Sequence, residues 1–233
     1  MGQIGLNKET FSAILGGIMP AVAWMIFWVR SEEKIDREPW SLIIIVFILG
    51  MLSVFIAVPL EHLVEPYIQN QNDLIITWAA IEEVVKFFIV YIVIRNNTNA
   101  KDPIDFAMYM IVGGLGFAGL ENILFLMDPG LLSDSTARWL TGNLRYFGST
   151  LLHSMTTGIV GIGMGLAYYN KWKNSFLYIL IGFIMAISLH SVFNLFIINS
   201  SSNELFKIFG LLWVITIISI LLLEKLRRLK GQI

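Results

Sequence analysis

The sequence predicts an all-α, polytopic membrane protein of about seven transmembrane helices in one bundle, and three observations support this fold class. Hydrophobic residues make up 56% of the 233-residue chain and charged residues only 14%, with a mean hydropathy of +0.72. Apolar runs of about 20 residues, long enough to cross a bilayer as helices, recur along the chain. The polar connectors between them are short, so we expect a single integral membrane domain over residues 1–233.

Seven apolar runs define the predicted helices. In chain order they are Phe11–Val29, Trp40–Leu60, Leu74–Ile94, Ile104–Met127, Tyr146–Tyr169, Phe176–Ile198 and Leu205–Leu223. The third connector ends in Asp102-Pro103, a dipeptide that favours the start of a helix. The fourth connector, Asp128–Asn143, is the longest, and we expect a short interfacial helix within it around Trp139.

The composition excludes several classes of function. The net charge is −1 and no basic patch alternates with aromatic residues, so nothing predicts nucleic-acid binding. The absence of cysteine excludes disulfides, thiol nucleophiles and Cys-ligated metals. The first apolar run continues past Ala23 to Val29, which favours an uncleaved transmembrane helix over a cleaved signal peptide.

Lysine and arginine are unevenly distributed between alternate connectors, and this asymmetry predicts the orientation of the chain. If seven spans alternate, one side carries Arg30, Lys34, Arg37, Arg95, Lys101, Lys171, Lys173, Lys225, Arg227, Arg228 and Lys230. The other side carries only Lys8, Arg138, Arg145 and Lys207. We therefore expect an extracytoplasmic N-terminus and a cytoplasmic C-terminus.

Three ionisable residues interrupt the third span, in the motif Glu82-Glu83-x-x-Lys86. A charge at the centre of a membrane helix costs about 2.5–3.5 kcal/mol on insertion scales, so such residues face a protein interior or a wet cavity. Lys86 follows the glutamates by three and four residues, on the same face of a helix. A structural ion pair is one explanation. Two carboxylates, however, exceed what one lysine can neutralise, which indicates chemistry or ion handling.

Further polar residues interrupt the next three spans. Glu121 and Asn122 lie in the fourth span, His153 in the fifth, and His190 with Asn194 in the sixth. With a rise of about 1.5 Å per residue, the acids and histidines fall about 8–14 Å from the predicted outer ends of their spans. Because four helices share this depth, we expect one polar site in the outer half of the bilayer.

This set of residues has the chemistry to hydrolyse a peptide bond. Glu82 or Glu83 would act as general base toward a water, while histidine and asparagine would orient the base or donate to the leaving group and oxyanion. A zinc ion is the competing explanation, held by Glu82, His153 and His190. The His-Glu-x-x-His signature of zinc peptidases is absent, so we favour no cofactor and keep zinc as the alternative.

At these residues the sequence resembles the PrsW family of intramembrane proteases, within the wider CAAX-prenyl-endopeptidase and bacteriocin-processing superfamily. The likeness spans nearly the whole chain. It rests on Asp36-Arg37-Glu38-Pro39-Trp40, Glu82-Glu83-x-x-Lys86-Phe87, Gly114-Leu115-Gly116-Phe117-Ala118-x-x-Glu121-Asn122-Ile123-Leu124-Phe125, His153 and His190. The chain departs from the family pattern at Phe106, where glycine is frequent, and in having one Glu-Pro dipeptide at its entry motif rather than two.

The resemblance implies a glutamate-dependent endopeptidase that cuts a single-pass membrane protein, of the anti-sigma-factor kind, near the outer face of the membrane. It implies that Glu82 is the base, that Glu83 supports or shares this role, and that His190 with Asn194 stabilises the transition state. The remaining residues would orient and tune these groups, namely Glu121, His153 and Lys86, with Asn122 and Phe117 in support.

Two other classes of function also fit a polar cluster inside a membrane protein. Chains of carboxylates and histidines relay protons in transporters, but transporters favour broken helices in paired halves. This chain has no inverted repeat, and Pro59 lies near the end of the second span. A non-catalytic scaffold descended from a protease is the second alternative. The sequence leaves the oligomeric state open.

Overall fold

The computed structural model describes residues 8–31, 38–95, 97, 100–127, 136–199 and 205–229, and it confirms the all-α prediction. Within these ranges the chain forms seven α-helices and no β-strand. The helices are α1 (Lys8–Ser31), α2 (Trp40–Val64, followed by the 3-10 turn Glu65–Tyr67), α3 (Gln71–Ile94), α4 (Pro103–Leu126), α5 (Thr136–Tyr169), α6 (Ser175–Asn199) and α7 (Leu205–Arg228).

Helix α4 lies at the centre of the bundle. All of its residues from Pro103 to Gly119 are buried, and it packs against α1, α2 and α5. Its neighbours approach closely because glycines face them: a Cβ atom on Gly114 would lie 2.6 Å from the backbone oxygen of His153 in α5. Gly116 likewise faces the backbone of Phe47 in α2. These close contacts fix the position of α4 relative to α2 and α5.

In the part of the chain that the structure describes, five helices are long and apolar enough to cross a membrane by length and composition, which supports the multi-pass prediction. Their apolar segments are Thr10–Arg30, Trp40–Tyr67, Pro103–Leu126, Gly148–Tyr169 and Ser175–Ile198. Helix α3 is not among the five, because three charged residues, Glu82, Glu83 and Lys86, lie near its middle. The helix that carries the charged motif therefore depends on its protein neighbours to shield those charges.

Polar contacts stabilise the starts of two helices, α4 and α2. Helix α4 begins at Pro103, as expected from Asp102-Pro103, and the Asp105 carboxylate accepts the backbone N–H groups of Lys101 and Asp102 at 2.8 and 2.7 Å. This capping satisfies donors that have no partner within the helix. At the entry to α2, the Tyr109 hydroxyl donates to the buried Glu38 carboxylate.

Several predicted helix boundaries are wrong, including that of α7, which ends at Arg228, five residues beyond the predicted Leu223. Helix α5 runs for 34 residues without a break from Thr136, so residues around Trp139 belong to α5 and form no separate interfacial helix. The segment 136–146 contains no proline, and the helical hydrogen bonds can continue through it into the fifth span. Helix α2 ends at Val64, four residues beyond the predicted Leu60.

Candidate active site

Lys86 is fully buried and has three hydrogen-bond partners. Its Nζ lies 3.1 Å from Oε2 of Glu82, 3.0 Å from Oε1 of Glu83 and 2.7 Å from Nδ1 of His153. An ammonium has three N–H donors, so these contacts use all of them. Its charge also lies over the ring of Phe117, 4.1 Å from the centroid. The lysine is thus a fixed positive charge at the centre of the cluster.

Glu83 is fully buried and its carboxylate is saturated with donors. Oε1 accepts from Lys86, from Thr156 Oγ1 at 2.9 Å and from Nδ1 of His190 at 2.9 Å. Oε2 accepts from Thr157 Oγ1 at 3.1 Å. Four donors from α3, α5 and α6 compensate for the loss of hydration that burial imposes. Glu83 therefore joins three helices around an ionised carboxylate.

Glu82 differs from its neighbour in having free acceptor capacity. Among the hydrogen bonds between described residues, its carboxylate accepts only the one from Lys86 at 3.1 Å. Its Oε2 lies 3.8 Å from His153 Nδ1 and 3.8 Å from His190 Nε2, beyond hydrogen-bond distance. The side chain is 8% exposed, whereas that of Glu83 is 0% exposed. Of the two adjacent glutamates, Glu82 is the one that has room for another ligand.

The two histidines are oriented by carboxylates. Because Lys86 donates to Nδ1 of His153, that nitrogen carries the lone pair, and Nε2–H donates to Glu121 Oε2 at 2.8 Å. His190 donates from Nδ1 to Glu83, and its Nε2 faces Glu82 at 3.8 Å. The two rings meet edge to face with centroids 4.8 Å apart. The His153 imidazole is therefore neutral with both nitrogens engaged, whereas Nε2 of His190 has no hydrogen-bond partner among the described residues and faces Glu82.

Glu121 is the most exposed member of the cluster. Its side chain is 37% exposed, against 2% for His153 and 8% for Glu82. The hydroxyl of Ser149 in α5 donates to Oε2 of Glu121 at 3.3 Å. The cluster is therefore closed on the side of Lys86 and Glu83 and opens on the side of Glu121.

The structure thus brings six predicted site residues into direct contact: Glu82, Glu83, Lys86, Glu121, His153 and His190. Phe117 also adjoins the cluster, with its ring centroid 5.3 Å from that of His153. Asn122 donates instead to Thr150 Oγ1 at 3.0 Å, on the α4–α5 contact beside the cluster. Asn194 lies half-buried one turn after His190, and none of the hydrogen bonds between described residues joins it to the cluster. The catalytic roles of all these residues remain predictions.

Some members of the site were not anticipated from the sequence. Thr156 and Thr157 follow His153 by three and four residues, and this spacing places their hydroxyls on the same helix face. Glu61 is a second residue near the site that was not predicted from the sequence. It is half-buried near the end of α2, close enough for the charges of Glu82 and Glu121 to act on it. Its signal in the sequence was a carboxylate at the outer end of a predicted span.

The geometry also contains a set of potential metal ligands. One ligand atom from each of Glu82, His153 and His190 lies within 4.8 Å of the other two. A tetrahedral zinc ion with bonds of about 2.0–2.1 Å places its ligand atoms about 3.4 Å apart, so only a small adjustment is needed. Glu83 and Glu121 hold the other nitrogens of the two histidines, as carboxylates commonly do for metal-bound imidazoles. The donor set therefore fits a zinc ion.

A helical membrane bundle that encloses acids and histidines in this arrangement is the architecture of an intramembrane hydrolase. Residues 38–223 match the family model described as PrsW family intramembrane metalloprotease, which covers most of the chain. A curated relative from Geobacillus kaustophilus, named Protease PrsW, is 28% identical over 187 residues, which cover 79% of each chain. A second Protease PrsW, from Bacillus subtilis, is 24% identical over 199 residues, which cover 84% of this chain and 87% of the relative. A third, from Oceanobacillus iheyensis, is 28% identical over 214 residues, 88% of this chain and 93% of the relative. No solved structure matches significantly.

The chain belongs to the PrsW family of intramembrane proteases. It is therefore a multi-pass membrane protein and a peptide hydrolase, and the family resemblance expected from its motifs is confirmed. All of the relatives named above are proteases, which gives no support to the transporter or scaffold alternatives.

Proposed function

We propose that the protein is an endopeptidase that cleaves a single-pass membrane protein near the extracytoplasmic face, with Glu82 as general base. The observation that carries this proposal is the difference between two adjacent carboxylates. Glu83 accepts four hydrogen bonds, whereas Glu82 accepts one from among the described residues, and 8% of its side chain is exposed. A general base must have a lone pair available for the proton that it removes. Glu82 meets this condition and Glu83 does not.

The proposed reaction follows from the positions of the side chains. A water beside Glu82 and His190 Nε2 gives its proton to the Glu82 carboxylate, and its oxygen bonds to the carbon of the scissile carbonyl. In this mechanism, Nε2 of His190 accepts the second hydrogen of the water and orients it, because this nitrogen faces Glu82 at 3.8 Å. The proton held by Glu82 then passes to the leaving amide nitrogen as the C–N bond breaks. Asn194 is the proposed donor to the developing oxyanion, because it follows His190 by one helical turn.

Lys86 supports this mechanism by compensating charge. Three carboxylates, those of Glu82, Glu83 and Glu121, surround a single lysine, and without it they would repel one another. Lys86 contacts both Glu82 and Glu83, so it compensates the negative charge of the proposed base and of its neighbour.

A zinc-dependent version of the same protease is the second candidate, and one specific observation favours it. Each histidine has one nitrogen held by a carboxylate and the other directed toward Glu82, which is the usual arrangement around zinc. Glu82, His153 and His190 would hold the ion, and Lys86 would have to release Nδ1 of His153. When bound, zinc would polarise the scissile carbonyl and promote ionisation of a water. The contact of Lys86 with Nδ1 is the observation that favours the metal-free form.

The substrate is proposed to be of the anti-sigma-factor kind, since the motifs of the chain imply such a single-pass protein. We would incubate the protein in liposomes with a pool of single-pass peptides, half from anti-sigma factors and half from unrelated membrane proteins. Mass spectrometry would identify each product. We expect cleavage of the first group on the extracytoplasmic side of its apolar segment. Equal cleavage of both groups would remove the substrate proposal while leaving the protease activity intact.

The same assay separates the two mechanisms. We would compare wild type with Glu82→Gln, each with and without a zinc chelator, and measure bound zinc by mass spectrometry. Glu65→Gln is the matched control, because it makes the same chemical change in a carboxylate that is 50% exposed. Activity that survives the chelator but not Glu82→Gln supports the water-activating glutamate. Loss with the chelator, restored by added zinc, would replace it with the zinc-dependent mechanism.

A further inference from the structure

Trp78 contains a buried hydrogen-bond donor that the mechanism above does not use. The Nε1 atom of its indole is shielded from solvent and has no acceptor among the described residues. A buried tryptophan N–H usually finds a partner, because an unpaired donor loses its hydration without compensation. An orphaned donor of this kind indicates an acceptor that arrives with a ligand.

The position of Trp78 relates this donor to the candidate active site. Trp78 precedes Glu82 by four residues in α3, so the two side chains project from the same face of the helix, one turn apart. Side chains in a helix lean toward its N-terminus, and Trp78 therefore lies between Glu82 and the end of α3 where the chain enters. In the predicted orientation that end is extracytoplasmic.

The sequence positions place Trp78 on the open side of the cluster. A small apolar group is formed by Val54 and Ala57 from α2, Val85 from α3 and Phe117 from α4. Toward the end of the bundle where α3 begins, Glu61 and Glu121 lie one helical turn beyond Ala57 and Phe117, and Trp78 lies two turns beyond Val85. Glu61 and Glu121 are near enough to interact electrostatically. Trp78 thus lies on the same side of Glu82 as these two carboxylates, the side on which the cluster is open.

An interfacial role for this tryptophan does not account for the observation. Tryptophans near membrane surfaces place their rings at the headgroup level and direct the N–H toward water or lipid headgroups. In Trp78 the Nε1 atom is covered by protein, so its N–H cannot reach the headgroup region. Trp213 in α7 offers the contrast, because it is 50% exposed on the surface of the bundle.

We propose that the Trp78 indole N–H donates to a backbone carbonyl of the substrate beside the scissile bond. The inference rests on the proposed endopeptidase function and adds a substrate-binding residue to it. A membrane segment must lose helical hydrogen bonds to expose its peptide bond to a base, and each released carbonyl then needs a new donor inside the protein. Trp78 supplies such a donor one turn from Glu82.

The first test removes the donor and keeps an aromatic ring. In the liposome assay with the best-cleaved peptide of the pool, Trp78→Phe should lower kcat/KM by about tenfold, since a hydrogen bond to the substrate would be lost. Trp213→Phe is the matched control and should leave kcat/KM unchanged. Replacement of Trp78 by benzothienylalanine, which has the shape of tryptophan without the N–H, should reproduce the loss at an unchanged Tm. Wild-type activity in the benzothienylalanine variant would overturn the inference even though the protease function stood.

The second test reads the hydrogen bond directly and does not need turnover. In the Glu82→Gln variant, the indole N–H resonance of Trp78, assigned by its absence in Trp78→Phe, should move downfield when the peptide is added. The resonance of Trp213 should not move. If the wild type cleaves no peptide while the Trp78 signal shifts, the proposed function fails and the binding role stands. An unchanged Trp78 resonance at saturating peptide would contradict the inference.

Discussion

Lys86 Nζ and His153 Nδ1 lie 2.7 Å apart, in a contact that joins α3 to α5 inside the protein. Because an ammonium can only donate, the contact fixes the tautomer of the imidazole and directs its N–H toward Glu121. The same lysine contacts both adjacent glutamates. One buried cation therefore contacts three ionisable groups and, through His153, orients the N–H that binds Glu121, and its removal is the first prediction.

Lys86→Met should destabilise the protein strongly. Removal of one partner from a buried ionic network leaves uncompensated charge and typically costs about 3–5 kcal/mol. We expect a large fall in Tm, measured by differential scanning fluorimetry in detergent, together with loss of peptide cleavage. Lys225→Met, at an exposed position in α7, is the matched control.

The double variant Lys86→Met with Glu83→Gln tests the cause of that effect. If uncompensated charge is responsible, neutralising Glu83 as well should recover part of the lost Tm, because fewer buried charges remain unpaired. If the decrease in Tm of the double variant instead equals the sum of the decreases in the two single variants, the two substitutions cause independent packing defects.

Glu82→Gln and Glu83→Gln should separate activity from stability. Glu83 accepts four buried hydrogen bonds, and bonds to a charged group contribute about 1.5–3 kcal/mol each, so Glu83→Gln should lower both Tm and activity. Glu82→Gln should reduce cleavage by about 10²–10⁴-fold, as expected for loss of a general base, with a small change in Tm. Parallel measurement of Tm and kcat on purified variants provides the comparison. The reverse pattern, with Glu83→Gln active and Glu82→Gln unstable, would exchange the two roles.

Gly114→Ala should displace the fifth helix from the fourth. The new Cβ would lie 2.6 Å from the backbone oxygen of His153 and 2.9 Å from Oγ1 of Thr157, so α5 would have to move. Overpacking of this kind typically costs about 1–3 kcal/mol. We expect a lower Tm and a reduced kcat, because His153 and Thr157 both contact the cluster. Gly210→Ala is the control, since no atom of the described residues lies within 4 Å of a Cβ built there. Full activity of Gly114→Ala would show that the cluster tolerates movement of α5.

The orientation predicted from the lysine and arginine distribution can be tested by labelling, because the chain has no cysteine of its own. Single cysteines would be introduced at Gln69, in the exposed connector between α2 and α3, and at Lys173, in the exposed turn between α5 and α6. A membrane-impermeant maleimide should label Gln69→Cys on intact cells and Lys173→Cys only after permeabilisation. The opposite labelling pattern would place the candidate site in the inner half of the bilayer.

Several features of the fold follow directly from the sequence. Runs of apolar residues of membrane-spanning length, separated by short polar connectors, predict seven helices because no other unclosed backbone structure satisfies its hydrogen bonds in lipid. Asp102-Pro103 predicts the start of α4 because proline needs no N–H partner at a helix N-terminus. Where the sequence contains no clear signal for a helix end, as at the start of α5 and the end of α2, the predicted boundaries were wrong.

The sequence by itself determined which residues were candidates for the site, because charges and imidazoles inside apolar spans are too costly to be left without partners. Only the tertiary structure decided how the candidates differ. Glu82 and Glu83 are adjacent in sequence and identical in chemistry, yet the packing of α3 against α5 and α6 gives four donors to Glu83 and leaves Glu82 with one from among the described residues. Donors that lie 73 to 107 residues away in the chain cause this difference, and no local pattern records them.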